Sequence, residues 1–200
     1  NRFLLADEVG MGKTIETGLI LKELKIRGDI KRILCIVPKS AMLQWQSELK
    51  EHFNEVFHLY DSEMITSMAR TFANINADEE YNFWTQHNQI IVSTDALKPL
   101  EKRQGWSNER VDEYNKYRMQ AVLEADFDLV IMDEAHKMGG ATSLVSRFIL
   151  AQELCNSVPN VLLLTATPHR GKSDHFRRIL QLLDPDAFAG EGLPDIEELE

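Results

Sequence analysis

Residues 7–14 carry the residue types that bind the phosphates of a nucleotide. They read Asp-Glu-Val-Gly-Met-Gly-Lys-Thr and follow an apolar run at residues 3–6. Glycines let a backbone approach a phosphate closely, and the N–H groups at the start of a helix favour an anion. The pattern departs from G-x-x-x-x-G-K-[ST] at its first position, which is Asp7. We therefore predict a nucleotide-binding turn made by Val9, Gly10, Met11, Gly12, Lys13 and Thr14, with Lys13 on the phosphates and Thr14 on Mg²⁺.

A second motif is needed, because an eight-residue match can be accidental. Asp133 and Glu134 follow the apolar run at residues 127–132, which predicts a buried strand that ends in two carboxylates. Asp133 is expected to hold the Mg²⁺ hydration shell, and Glu134 to deprotonate the attacking water. The alternative is a solvated acidic pair that caps the next helix. A predicted strand precedes the pair, and the same chain contains the predicted turn with Lys13 at residues 7–14, called the lysine turn below. Together these observations favour Lys13, Asp133 and Glu134 as catalytic residues.

The elements that must position these residues alternate along the chain. Apolar runs predict strands at 3–6, 32–37, 55–60, 89–93, 127–132 and 160–165. Helical patterns lie near 13–27, 40–53, 64–75, 108–125, 142–156 and 172–183, and the segment 98–112 is predicted to be a mobile loop. Continuous apolar strands, each followed by a helix, indicate an α/β fold whose mainly parallel sheet has helices on both faces. Ligands of such sheets bind beyond the carboxyl ends of the strands, where both motifs fall.

Composition is ordinary for a globular chain, with 44% hydrophobic and 27% charged residues. No apolar run of about 18 residues predicts a transmembrane helix, and no signal-peptide pattern opens the chain. Cys35 and Cys155 are predicted to be reduced core residues of a cytoplasmic protein, and no metal-ligand cluster is visible.

The net charge of −10 does not decide whether the chain binds nucleic acid. Residues 184–200 carry seven acids and no Lys or Arg, so the remainder has a charge of only −3. Residues 1–50 hold nine basic and six acidic residues, a local charge of +3. A cleft can be positive on an acidic body.

Five ordered motifs resemble those of helicase superfamily 2, specifically its Swi/Snf-like branch of duplex-DNA translocases and the bacterial and archaeal RapA-like members within it. They span nearly the whole chain and are similar to motifs I (5–16), Ia (36–45, with Gln44-Trp45), Ib (91–97), II (133–136) and III (164–170). An acidic residue commonly replaces the first glycine of motif I in that branch, as Asp7 does here.

The resemblance implies a RecA-like P-loop NTPase domain at residues 1–183, with ATP and Mg²⁺ as cofactors. It implies that residues 184–200 are an acidic linker toward a second RecA-like lobe, and that this chain is the first motor lobe of a larger protein. Double-stranded DNA, gripped by both lobes, is the expected partner, and a larger protein complex is possible.

Candidate nucleic-acid contacts lie at two other strand ends. Pro38, Lys39 and Ser40 can hold a phosphate, although Ser40 could equally be the N-cap of the next helix, and both can be true. Ser93 and Thr94 could donate to a phosphate or merely cap the following turn.

Thr165 and Thr167 flank a turn after a strand and are expected to couple the acidic pair to the second lobe. His136 is expected to bridge toward one of them; the alternative for the threonines is local bonding to the backbone. Tryptophans 45, 84 and 106 and the pair Tyr114 and Tyr117 are interpreted as packing residues or loop anchors rather than as base-stacking platforms.

Two other functions remain open. A strand-separating RNA or DNA helicase would share every catalytic residue, although the wording of motif I and the Gln44-Trp45 pair favour the translocase. A nucleotide-gated interaction module, docking a transcription or defence complex, would also keep an intact site.

Overall fold

The computed structural model describes residues 1–7, 12–75, 82–137, 145–166 and 173–188. The strands within these ranges are β1 (Arg2–Leu5), β2 (Ile33–Val37), β3 (His58–Tyr60), β4 (Gln89–Ser93), β5 (Leu129–Met132) and β6 (Asn160–Leu164). The helices are α1 (Lys13–Arg27), α2 (Met42–Phe53), α3 (Ser62–Ile75), α4 (Thr94–Leu97), α5 (Asn108–Leu123), α6 (Val145–Ser157) and α7 (Ser173–Leu183). Short 3₁₀ turns lie at Lys39–Ala41, Phe83–Thr85 and Ala135–Lys137. No helix in the described ranges is long and apolar enough to cross a membrane.

The strands form one sheet in the order β1-β6-β5-β2-β4-β3, and every neighbouring pair is parallel. Successive side chains of a strand point to opposite faces. On β2, Ile33, Cys35 and Val37 therefore enter one buried cluster, while Leu34 and Ile36 enter the other. The predicted α/β fold, with its parallel sheet covered on both faces, is confirmed.

Local residue chemistry sets the ends of these elements. The helix predicted at 13–27 is confirmed, and it stops at Gly28, whose φ of 81° is left-handed. The strand predicted at 55–60 begins later, at residue 58. Asn54 (φ 54°) closes α2 with an N–H bond to the Lys50 carbonyl, and the next residues, up to residue 57, form an irregular connection.

The segment 98–112 is a loop only as far as residue 107. The Ser107 hydroxyl accepts the Arg110 N–H at 3.3 Å and so caps α5 at its start. Trp106 meets the ring of Tyr114 edge-on, with centroids 5.3 Å apart, and thereby ties the loop to α5. The interpretation of Trp106 and Tyr114 as loop anchors is confirmed.

The first part of the predicted linker is a turn that contacts α7. Gln181 donates its side-chain amide to the Phe188 carbonyl at 2.9 Å, and the Phe188 N–H bonds to the Asp184 carbonyl at 3.2 Å. Residues 189–200 lie outside the described ranges. The division at residue 183 therefore stays a prediction.

Helices α1 and α2 touch at Gly18. A Cβ built on this glycine would lie 2.1 Å from Cε2 of Phe53, far inside van der Waals contact. The two helices can therefore approach this closely only because residue 18 has no side chain. Since α1 follows the lysine turn and α2 follows the Pro38 segment, this contact fixes the relative positions of two candidate binding segments.

The buried carboxylate of Glu55 helps to connect α1 to the amino edge of the sheet, where β4 begins. Glu55 accepts from Lys22 at 2.7 Å and from Lys25, and Lys25 also donates to Gln89 at the start of β4. Burial alone would raise the pKa of Glu55, but the two ammonium groups hold it below its ordinary value. These two ion pairs stabilise the position of the C-terminal half of α1.

Both cysteines are free and buried, as predicted. Burial raises the pKa of the Cys155 thiol to about 11 and that of Cys35 further. They are therefore packing residues.

Candidate nucleotide and nucleic-acid site

Parallel pairing brings the two predicted motifs to one edge of the sheet. β1 leads into the lysine turn, β5 ends at the acidic pair, and β6 lies between these two strands. Leu5 is paired with Leu164, and Met132 with Leu163, so the residues that follow all three strands emerge side by side. The predicted meeting of the two motifs at the carboxyl edge is confirmed.

The lysine turn enters α1 through a left-handed glycine. Gly12 has φ 87° and stands at the N-cap, and its carbonyl accepts the Glu16 N–H at 3.0 Å. A Cβ at Gly12 would meet nothing closer than 3.9 Å, so its φ, and not crowding within the chain, calls for glycine there. Thr14 is buried in the first turn of the helix. Val9, Gly10 and Met11 lie outside the described residues, so their predicted role is untested.

The Lys13 side chain reaches back to Asp7. Its ammonium donates to the Asp7 carbonyl at 3.1 Å. Asp7 occupies the position of the first glycine of the G-x-x-x-x-G-K-[ST] pattern. Hydrogen bonding with the Asp7 side chain, burial and the nearby Asp7 charge raise the pKa of Glu16, while the Lys13 charge opposes the shift. The sequence analysis did not anticipate that these two acids lie near Lys13.

Asp133 is held by two hydrogen bonds. Its Oδ1 accepts the Glu134 N–H at 2.8 Å, and its Oδ2 accepts the indole Nε1–H of Trp45 at 3.3 Å. Burial raises the pKa of Asp133, and these two donors work against that rise. Each carboxylate oxygen accepts one bond and can still offer a lone pair to a hard cation.

Trp45 has a second role besides packing. It is only 3% exposed, which confirms the interpretation as a core residue. The position of α2 against the sheet also aims its N–H at Asp133, which lies 88 residues further along the chain. Apolar spacing could place Trp45 in the core, but no sequence pattern indicates which polar atom its N–H would meet.

Glu134 adopts a backbone conformation that its residue type rarely takes. Its φ is 53°, in the left-handed region, which costs a non-glycine residue about 1–3 kcal/mol when the surroundings impose it. In that conformation its Oε2 lies 3.1 Å from Nδ1 of His136. Strain at the carboxylate predicted to activate water is consistent with a position fixed for chemistry.

His136 connects the acidic pair to the end of β6. It is buried, and its Nδ1 lies 3.0 Å from Oγ1 of Thr165, which is fully buried. The predicted bridge from His136 toward Thr165 is confirmed. Thr167, the other predicted partner, lies outside the described residues. A chain of polar contacts therefore runs from Glu134 through His136 to Thr165.

The candidate DNA-contacting segments occupy the other half of the same edge. β2 and β4 are neighbours, and Val37 is paired with Ser93. Lys39 and Ser40 follow β2 and are exposed, as a contact with an extended ligand would require. Pro38 precedes the 3₁₀ turn, and no side chain caps that turn.

The structure bears on the alternative that the serine and threonine residues at this edge only cap helices or turns. α2 begins at Met42 after Ala41, so the alternative that Ser40 is its N-cap is wrong. Ser93 is 1% exposed, and its hydroxyl accepts the Ala96 N–H at 3.1 Å, which favours capping for this residue. Thr94 donates its hydroxyl to the Val37 carbonyl at 3.3 Å. Contact of either segment with DNA stays a prediction.

The sheet order, the lysine turn and the strand-end acids together define a P-loop NTPase domain of the RecA-like class. Residues 1–192 match the SNF2-related domain. The chain belongs to this SNF2-related family.

Known proteins similar to this chain are consistent with that assignment. It is 41% identical, over 189 residues, to the RNA polymerase-associated protein RapA of Actinobacillus succinogenes, covering 94% of this chain and 18% of that protein. The Sulfolobus solfataricus SWI2/SNF2 ATPase core, solved in complex with dsDNA, has a TM-score of 0.62 at 20% identity over 92% of this chain and 31% of that one. The Pyrococcus furiosus Hef helicase domain has a TM-score of 0.60 at 18% identity over 96% and 34%. These two structures show the shared fold, and this chain spans about a third or less of each matched protein.

Proposed function

We propose that this chain is the ATP-binding lobe of a motor that hydrolyses ATP to ADP and phosphate and moves along double-stranded DNA. The observation that carries the proposal is the meeting of the Lys13 turn with Asp133, Glu134 and the His136–Thr165 contact at one sheet edge. The family membership implies nucleotide use, and ATP with Mg²⁺ is the form that this donor set suits.

The residues present fit a phosphate chain with a hard divalent cation. Lys13 would bind the phosphates by charge, and N–H groups at the start of α1 would bind them by hydrogen bonds. The Thr14 hydroxyl and the Asp133 carboxylate are the oxygen donors that would hold Mg²⁺. When bound, Mg²⁺ neutralises charge on the phosphates. Trp45 and the Glu134 N–H keep the Asp133 carboxylate oriented for that role.

Glu134 would accept a proton from the water that attacks the γ-phosphorus. The bond from that phosphorus to the bridging oxygen then breaks, and ADP leaves with the electron pair. His136 lies against Glu134 and Thr165, so it can relay a change at the acidic pair to the end of β6. A second lobe that contacts this end would sense the state of the nucleotide.

Duplex DNA is the proposed track because the exposed segment after β2 can bind phosphates without reading base edges. The Sulfolobus relative was solved with dsDNA, and the RapA relative is by its name associated with RNA polymerase. A larger transcription complex is therefore a candidate partner.

The strand-separating helicase remains the second candidate for one specific reason. The Hef helicase domain matches this fold nearly as well as the SWI2/SNF2 core, with TM-scores of 0.60 and 0.62. The fold therefore does not distinguish the two classes, and the 41% identity to RapA favours the translocase.

The test is the ATPase rate of the full-length protein with duplex DNA, single-stranded DNA and RNA. We expect the largest stimulation by duplex, and Lys13→Ala should abolish nucleotide binding in a titration with a fluorescent ATP analogue. Lys31→Ala, which removes an exposed charge elsewhere, should change neither measurement. Greater stimulation by single strands would replace the translocase with the helicase, and nucleotide binding without stimulated turnover would favour the interaction module.

A further inference from the structure

A basic cleft lies beyond the two candidate DNA-contacting segments. Its positive lining consists of Lys98, Lys102, Arg103 and Arg118, and the cleft has a volume of about 360 Å³. Asp95 is the only carboxylate among the described residues that line it. Four cations to one acid is the reverse of the balance in the whole chain, whose net charge is −10. The cleft therefore concentrates positive charge on an acidic body.

Arg118 gives the cleft a positive charge that no carboxylate of the described residues pairs with. The half-buried guanidinium donates to the carbonyl of Ala96 and to that of Lys98 at 3.5 Å. No carboxylate in the described part of the chain forms an ion pair with it. Carbonyl oxygens satisfy hydrogen bonds but carry no formal charge, so the cation still favours an anion. Burial lowers the pKa of Arg118, as expected for an uncompensated cation.

The loop that bears the other cations is fixed to α5. Asn115 accepts the Leu100 N–H and donates to the Leu100 carbonyl, both at 2.8 Å. The guanidinium groups of Arg103 and Arg110 lie over the ring of Trp106, at 4.3 and 4.5 Å from its centroid. These contacts hold the cationic side of the cleft in place before any ligand arrives, which lowers the entropic cost of binding.

The cleft continues directly from the end of β4. Asp95 and Ala96 line it, and they follow Thr94, one of the residues predicted to meet DNA. β4 is next to β2, whose end carries the exposed Lys39. Along the carboxyl edge, the order is therefore nucleotide site, candidate DNA segments and basic cleft.

We propose that the basic cleft binds neighbouring phosphate groups of the duplex backbone and so extends the track past the ends of β2 and β4. This inference rests on the proposed translocase function. Lys98 contributes less charge than the others because Glu101 pairs with it at 3.1 Å. Lys102, Arg103 and Arg118 supply the remaining cations, and an arginine fork suits phosphate oxygens. Contacts of this kind hold DNA without regard to sequence.

The test is the salt dependence of duplex binding by the full-length protein, measured by fluorescence anisotropy on two unrelated 40-base-pair duplexes. Lys102 and Arg103 are exposed, so a Lys102→Ala/Arg103→Ala variant should fold. We expect weaker binding of both duplexes to the same degree, and a slope of log affinity against log salt that is shallower by about two. Lys102→Ala alone, which leaves the Trp106 stack intact, should make the slope shallower by about one.

The matched control is Lys31→Ala/Lys116→Ala, which removes two exposed charges that do not line the cleft. It should keep the slope of the unmodified protein. If the cleft variant and this control behave alike while the unmodified protein binds duplex well, the cleft assignment is wrong and the translocase proposal stands. If the unmodified protein does not bind duplex at all, the translocase proposal fails and this inference fails with it.

Discussion

Replacing Trp45 with phenylalanine should weaken the binding of Mg²⁺ while the protein still folds. The substitution keeps an aromatic ring in the core but removes the N–H that donates to Asp133 Oδ2 at 3.3 Å. A hydrogen bond to a charged group contributes about 1.5–3 kcal/mol, and the long distance places this one near the lower end. A change of about 1.4 kcal/mol corresponds to about tenfold in an equilibrium constant. We therefore expect nucleotide binding by the variant to need about tenfold more Mg²⁺, which agrees with the effect of removing a residue that orients a metal ligand.

Trp84→Phe is the control for the packing cost. Trp84 is as buried as Trp45, at 3% exposure, but belongs to the core cluster on the other face of the sheet. Both variants should lose free energy of unfolding, measured with denaturant, because each loses part of a buried indole, and Trp45→Phe should lose about 1.5 kcal/mol more because it also loses the hydrogen bond to Asp133. Only Trp45→Phe should shift the Mg²⁺ midpoint in a titration of a fluorescent ATP analogue on the full-length protein. Equal midpoints for the two variants would show that the contact with Asp133 does not position the metal ligand.

Four further outcomes are expected. Glu134→Gln should bind ATP but hydrolyse it about 10²- to 10⁴-fold more slowly, since an amide cannot accept the water's proton; near-normal turnover in a phosphate-release assay would remove Glu134 from the mechanism. The isolated 200-residue chain should release little phosphate with or without DNA, because a cationic group from another element can be worth about 10³- to 10⁵-fold; robust hydrolysis by this chain alone would contradict that. Gly18→Ala should overpack the α1–α2 contact and lower the free energy of unfolding, measured with denaturant, by about 1–3 kcal/mol, and Phe53→Leu in the same chain should recover part of that loss. No loss of stability at all would mean that the two helices can move apart freely. Glu55→Gln should destabilise the fold by about 1–3 kcal/mol at neutral pH, since its lysine partners are partly exposed. Because the folded state lowers the pKa of Glu55, the difference from the unmodified protein should persist above its unfolded-state pKa and shrink as pH falls below it, and a constant difference would refute the ion-pair account.

Patterns within one segment were sufficient to predict most of the fold. The helix at 13–27 has a regular apolar spacing and a terminal glycine, so its bounds follow from local chemistry. The strand at 89–93 is a continuous apolar run between polar residues, and it too is confirmed. The start of β3 was misplaced because Phe57 is apolar and buried but lies in the irregular connection after α2, and apolar character alone does not distinguish a buried connection from a strand.

Contacts between distant segments could not be predicted in the same way. The sequence places Asp133 at the edge of the sheet, since a strand must end there, and it places Trp45 on a helix after a different strand. Whether the indole reaches the carboxylate depends on how α2 lies on the sheet, and the absence of a side chain at Gly18 helps to set that. The proximity of Asp7 to Glu16, nine residues further along the chain, is likewise a contact that composition does not reveal.

The Trp45–Asp133 contact also bears on how the two halves of the carboxyl edge communicate. The exposed Lys39 segment leads directly into α2, and α2 carries Trp45 to the predicted Mg²⁺ ligand. β2 and β5 are paired from Ile33 to Ile36, so neither strand can shift without the other. A DNA phosphate that draws the Lys39 segment outward would therefore act on Asp133 through the first turn of α2, which carries Trp45, and one hydrogen bond. On this argument the same Trp45→Phe variant should reduce the stimulation of hydrolysis by duplex even at saturating Mg²⁺, whereas a loss that is fully restored by Mg²⁺ would confine the role of Trp45 to metal positioning.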